Sequence, residues 1–144
     1  MEVLISIKSK QESQDENDIV EFTTSGKLSK RNGKHYISYR ESEMTGMDGA
    51  LTVVTVEENC VTITRGGRYK TNLILESGKR HLCPYLTPFG QMTMGVSTGK
   101  IQSNLENNGG KIKVDYTLEL NHSFFSSNFV EIDIKGDNQK CKAQ

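Results

Sequence analysis

Arg65 is the side chain with the sharpest chemical reading. It alternates in phase with Val61 and Ile63, on a strand face that is otherwise apolar, and Gly66-Gly67-Arg68-Tyr69 follows it. A guanidinium on such a face clamps a carboxylate or phosphate through two parallel donors. Tyr85, at the end of another alternating segment, adds a phenol. Met92, Met94 and Tyr116 fall on faces suited to line the same space, methionine being a pliable lining residue. These five residues form the candidate ligand-binding set. The plainer alternative for Arg65 is a rim ion pair with Glu57 or Glu76. For Met92 and Met94 it is the filling of gaps in an irregular core.

Other constellations are weaker. His81 and Cys83 share one strand face, and Cys60 or His122 would have to supply a third metal ligand from elsewhere. A polar strand residue beside a small apolar filler accounts for the pair as well, so no metal site is assigned. Lys27, Lys30, Arg31, Lys34 and Arg40 gather around Asn32-Gly33, with Tyr36 and Tyr39 nearby. The two tyrosines alternate to opposite faces, so they cannot stack bases in one groove. A solvated hairpin describes this tip better than a nucleic-acid contact. No phosphate-binding glycine loop, nucleophile elbow, Cys-x-x-Cys or paired carboxylates on an apolar face are present. The expectation is a protein without enzymatic activity or cofactor.

The elements that must position these residues are strands. Val3, Ile5 and Ile7 alternate with polar neighbours; so do Ile112, Val114, Tyr116, Leu118 and Leu120, and then Val130, Ile132 and Ile134. The segment 50–57 is β-branched. Asn32-Gly33 marks a tight hairpin, Gly26 marks a bend or bulge, and Gln11 to Asn17 reads as a solvated loop. Ten candidate strands follow, with no trustworthy helical period, and the rhythm predicts an all-β, up-and-down antiparallel barrel. One domain over residues 1–136 is expected, with a polar tail over 137–144. Lysine plus arginine and aspartate plus glutamate both number 18 in the 144 residues, so no global charge attracts nucleic acid or an anionic membrane. No segment is apolar for long enough to span a bilayer. The alternating N-terminus lacks the pattern of a signal peptide, and the expected compartment is the cytoplasm, with Cys60, Cys83 and Cys141 reduced.

Several stretches carry a family resemblance. They are Arg65-Gly66-Gly67, Leu73, Gly78, the corner Tyr85-Leu86-Thr87-Pro88-Phe89-Gly90, Met94, Thr98, Ile101-Gln102-Ser103 and Leu105, with Phe22 to Gly26 and Tyr36 to Tyr39 before them. Together they resemble the small bacterial YwiB-like proteins, an uncharacterised family with a calycin-like, that is lipocalin-like, barrel. The resemblance covers nearly the whole chain, and its most specific part is the Tyr-x-Thr-Pro-Phe-Gly corner from Tyr85 to Gly90. It implies fold more than function and brings no catalytic residue with it. The chain has no Trp, so the lipocalin Gly-x-Trp opening is missing. The connection from Lys8 to Asp18 is too short for the helix pair of fatty-acid-binding barrels. Gly66, Gly78, Thr87, Pro88, Phe89, Gly90 and Thr98 are read as motif positions that hold structure. The functional expectation is a small, partly apolar or anionic molecule bound at the barrel mouth. The alternative is a filled barrel serving as an interaction module or homodimer, and a weak nucleic-acid contact stands well behind both.

Overall fold

The computed structural model describes residues 1–13, 16–40, 50–66, 71–87, 90–106, 108–120 and 123–136, with the backbone alone for 71, 85–87 and 125. Ten strands follow one another: β1 Glu2–Glu12, β2 Asn17–Arg31, β3 Lys34–Arg40, β4 Leu51–Glu57, β5 Cys60–Arg65, β6 Thr71–Glu76, β7 Arg80–Thr87, β8 Gly90–Ser103, β9 Gly109–Leu120 and β10 Ser123–Gly136. Each pairs antiparallel with its neighbour in sequence, and β1 pairs with β10, so the sheet closes on itself. This is the expected up-and-down barrel. Among the described residues no helix is long and apolar enough to cross a membrane.

Alternation places one face of every strand inside. Val3, Ile5, Ile37, Val54, Val61, Leu75, Cys83, Val96, Ile112 and Ile134 keep 2% exposure or less and form one continuous core. On the outer face of the longest strands, opposite charges meet across the ladders. Lys8 Nζ lies 3.5 Å from a Glu21 carboxylate oxygen, and Lys111 Nζ lies 3.3 Å from one of Glu131. The pattern sets register more than stability, since each pair is exposed.

Turn chemistry follows the sequence. Asn32 and Gly33 both take positive φ, 51° and 79°, which fits the two-residue hairpin between β2 and β3. Gly26 corrects the expectation of a bulge. It stays in regular register with Val3 on one side and Tyr39 on the other. A Cβ there would meet the Ser38 carbonyl oxygen and come within 2.5 Å of Ile5 Cδ1. The glycine therefore serves close approach between strands. The supposed loop from Gln11 is also shorter than expected. β1 runs through Glu12 and β2 begins at Asn17, because the polar residues there are still paired in the ladder. β10 ends at Gly136, and the tail over 137–144 lies outside the described residues.

The β6–β7 seam departs from the rest. These strands form one ladder pair, Thr71 with Tyr85. Continued, the register would set Asn72 against Pro84, which has no N–H to donate. The hairpin tip is tied elsewhere: the Gly78 N–H donates to the Thr98 carbonyl at 2.9 Å, the Ser77 N–H to the Asn59 carbonyl at 2.9 Å, and Ser77 Oγ to the Gly99 carbonyl at 3.2 Å.

Candidate functional site

The register assembles most of the candidate set at one end of the barrel. Tyr39 pairs with Thr52, Thr52 with Arg65, Arg65 with Thr71, Thr71 with Tyr85, and Tyr85 with Met92. One row thus carries Arg65, Tyr85 and Met92 across β5 to β8. Met94 follows on β8, buried opposite Cys83. Below Arg65 the wall is apolar. Ile63 and Leu73 keep 8% exposure, whereas Val61 and Leu75, one inward step deeper, keep 1%. Exposure along these two strands therefore rises towards the Arg65 end.

Tyr116 projects from β9, on the far wall from β5. The residue as a whole keeps some exposure, but its phenol is enclosed. Burial pushes the phenol's pKa up, and the positive charge of Arg65 partly offsets that rise. The two groups therefore sense each other across the interior, and the phenol stays protonated as a hydrogen-bond donor at neutral pH.

The ion pair with Glu57 or Glu76 is overturned as an account of Arg65. Both glutamates flank Cys60, at the other end of β5. Glu57 bridges Lys34 at 3.4 Å, and Glu76 bridges Lys79 at 3.1 Å and His81 at 2.8 Å. That contact occupies His81, and Cys83 is buried in the core. Among the described residues no group of three or more His, Cys, Asp or Glu side chains is placed to hold a metal ion; His122 and Cys141 lie outside them.

Polar interior residues adjoin Tyr116, and sequence reasoning missed two of them, Ser126 and Asn128. Thr98 on β8, Tyr116 on β9 and Asn128 on β10 are direct neighbours in one row. Asn128 is 8% exposed and Ser126 fully buried, and Asn128 Nδ2 donates to Ser126 Oγ at 3.0 Å. Thr98 Oγ1 is buried without a hydrogen-bond partner among the described residues. Residues 123–128 read as a Ser/Asn-rich connection, yet β10 starts at Ser123. The available signal was that Ser126 and Asn128 share the inward phase of Val130, Ile132 and Ile134.

Where described, the motif positions Gly66, Gly78, Thr87 and Gly90 lie at turns and strand ends. Gly66 donates its N–H to the Leu51 carbonyl at 2.9 Å, Gly78 turns at φ 75°, and Thr87 pairs with Gly90 to close the β7–β8 hairpin. Pro88 and Phe89 lie outside the described residues. In the basic hairpin, Tyr39 is buried and Tyr36 half-buried on the opposite face, as the alternation requires.

These features define the class: a ten-stranded antiparallel barrel with a charged and polar patch over an apolar interior. Comparison with known proteins gives the family. Residues 5–132 match the model described as "Domain of unknown function (DUF1934)", and the chain belongs to this family. It is 30% identical over 118 residues to the "Uncharacterized beta-barrel protein YwiB" of Bacillus subtilis (strain 168), covering 82% of each chain. It also superposes on the crystal structure of the ywiB protein from Bacillus subtilis, with a TM-score of 0.81 and 26% identity, over 94% of this chain and 91% of that one.

Proposed function

We propose that the protein is a non-enzymatic, calycin-like binding barrel of the cytoplasm that takes a small, partly apolar, anionic molecule at the Arg65 end. The observation that carries this reading is the position of Arg65: it shares a row with Tyr85 and Met92, lies over an apolar floor, and exerts its charge on the enclosed Tyr116 phenol. Arg65 supplies the charged clamp and Tyr116 a donated hydrogen bond. Met92 and Met94 adapt to the apolar part.

The test is native mass spectrometry of the purified protein, followed by titration with 8-anilinonaphthalene-1-sulfonate. An adduct of fixed mass released by denaturation supports the reading, as does fluorescent binding that Arg65→Gln weakens about tenfold, or about 1.4 kcal/mol. Equal binding by Arg65→Gln defeats the anion assignment.

A second reading, a homodimer, rests on the outer wall. Leu82 and Phe124 are 59% and 55% exposed and lie on one outward row across β7 to β10, either side of the Arg80–Glu119 pair. Sedimentation showing a monomer at every concentration removes it.

A further inference from the structure

The opposite end of the barrel holds a second concavity, independent of the Arg65 end. It has a volume of about 270 Å³, and its walls include His35, Val56, Glu57, Asn59, Ile101 and Leu105. Three turns and strand ends build it: the β2–β3 hairpin, the β4–β5 turn and the last residues of β8. His35 follows the Asn32-Gly33 turn and pairs with Val56, so it belongs to the inward row of β3 with Ile37 and Tyr39.

The Nε2 atom of His35 is buried and has no hydrogen-bond partner among the described residues. A buried polar atom left unpaired costs about 1–3 kcal/mol, so such atoms ordinarily have a partner in the working molecule. Apolar side chains line the concavity with His35: Val56 is 4% exposed, and Ile101 and Leu105 pack against the core. The charged wall residues are acidic, Glu57 with Glu58 beside it, and Asn59 and Ser103 add neutral polar groups. Burial, and secondarily the charge of Lys30, lowers the His35 pKa from its ordinary value. The imidazole is therefore neutral at physiological pH, and a neutral ring presents one nitrogen as an acceptor.

An anion entering here would meet two carboxylates in the wall, and the cations nearby lie outside the lining: Lys34 on Glu57, and Lys30, whose charge reaches His35. A metal ion would find too few ligands, since no group of three or more ligating side chains exists among the described residues. A protonated amine fits: its three N–H bonds match the acceptors, and a short hydrocarbon body suits the apolar floor. The volume lies just below the usual range for drug-sized ligands, which sets the size at a small amine. We propose that this end of the barrel binds a small organic ammonium, with His35 Nε2 and the Glu57 carboxylate accepting from it and Val56, Ile101 and Leu105 covering its apolar body. Lys34 already bridges Glu57 at 3.4 Å, but both side chains are about two-fifths exposed. Such surface pairs are weak, so an arriving ammonium displaces or shares the contact at little cost.

The experiment titrates the intact protein with n-butylammonium, n-butanol and n-butyrate, following the His35 imidazole resonances by NMR. The expected result is a saturable shift with butylammonium in the millimolar range, at least about tenfold tighter than with butanol, and none with butyrate. His35→Phe, which keeps an aromatic ring of similar size, weakens amine binding about tenfold, read by calorimetry, while its thermal unfolding reports that the fold is intact. Should that variant fail to fold, the Glu57→Gln/Glu58→Gln double variant supplies the same test on exposed positions. Arg65→Gln leaves the titration unchanged, which separates this site from the Arg65 end. Equal affinity for butanol and butylammonium, tighter binding of butyrate, or no shift at all overturns the proposal and leaves the pocket to solvent.

Discussion

The barrel has a long wall and a short wall, and they are held by different means. β8, β9, β10, β1 and β2 run 11–15 residues, whereas β3 to β7 run 6–8. In the long wall β9 and β10 pair at twelve positions, and opposite charges face one another on the outside, as in Lys113 with Glu131 and Lys111 with Asp133. In the short wall β6 and β7 pair at one position, and where β5 meets β6 the outward residues Thr62, Thr64, Asn72 and Ile74 are uncharged, with Thr64 Oγ1 donating to Asn72 Oδ1 at 3.3 Å. Long ladders with alternating charge fix register through many small terms. The short wall relies on β-branched packing and on a hairpin tip clasped to β8. The ladder lengths predict that stability concentrates in the long wall, while Arg65 stands on the short one.

The largest expected effect tests this directly. Ile5 is fully buried in the long wall, and Leu73 is 8% exposed beside the β6–β7 seam. Truncating a buried Ile or Leu to Ala costs about 2–5 kcal/mol, depending on how far the site can relax. Ile5→Ala falls in the upper half of that range and Leu73→Ala in the lower half, measured by urea unfolding. Equal losses would show that the seam is as tightly packed as the long wall. Gly26→Ala comes next. Its new methyl meets the Ser38 carbonyl and Ile5, and a forced overpacking costs about 1–3 kcal/mol. A neutral result would mean that β2 and β3 separate easily there.

Hydrogen exchange compares the walls without mutation. Amides of Ile74, Leu75, Leu82 and Cys83 are expected to exchange at least about tenfold faster than those of Val114 and Ile132, a difference of about 1.4 kcal/mol in local opening. Uniform protection across both walls would place the seam inside the global cooperative unit.

The same contrast explains what the sequence shows. The long wall is legible at β9, where Ile112, Val114, Tyr116, Leu118 and Leu120 alternate with polar residues and most of those carry charge. The phase of Arg65 against Val61 and Ile63 likewise puts it over the apolar interior, and the register adds Tyr85 and Met92 to its row. Illegible were features that depend on pairing between strands. Ser126 and Asn128 look like loop residues because their burial requires Leu118 and Tyr116 opposite them. Gly26 looks like a bulge because the reason for it is Ile5 on another strand. The pocket around His35 draws on three separate segments, and nothing local to His35 announces it.

Thr98 offers a smaller effect. Its Oγ1 is buried and unpartnered among the described residues, so Thr98→Val replaces it with a methyl of similar shape, and stability is unchanged or rises by up to about 1 kcal/mol. The backbone bonds that tie Thr98 to the β6–β7 tip survive the change. A loss of stability would show that a bound water or ligand holds that hydroxyl.

The smallest effect concerns that tip and its pH dependence. The hydrogen bond from His81, followed by that from Lys79, holds the Glu76 carboxyl below its ordinary value of 4.5. A depressed carboxylate binds fewer protons folded than unfolded, so its contribution is fully present above the unfolded pKa and is lost as pH falls through the folded one. His35 acts in the same direction at higher pH, because its lowered pKa makes protonation below 6.5 unfavourable in the folded state. Comparing wild type with Glu76→Gln isolates the first term: the difference in Tm is greatest near pH 7 and closes towards pH 3. A difference that persists in acid would assign the role of Glu76 to packing around the tip, and the clasp to β8 would then rest on its backbone bonds and the Ser77 hydroxyl.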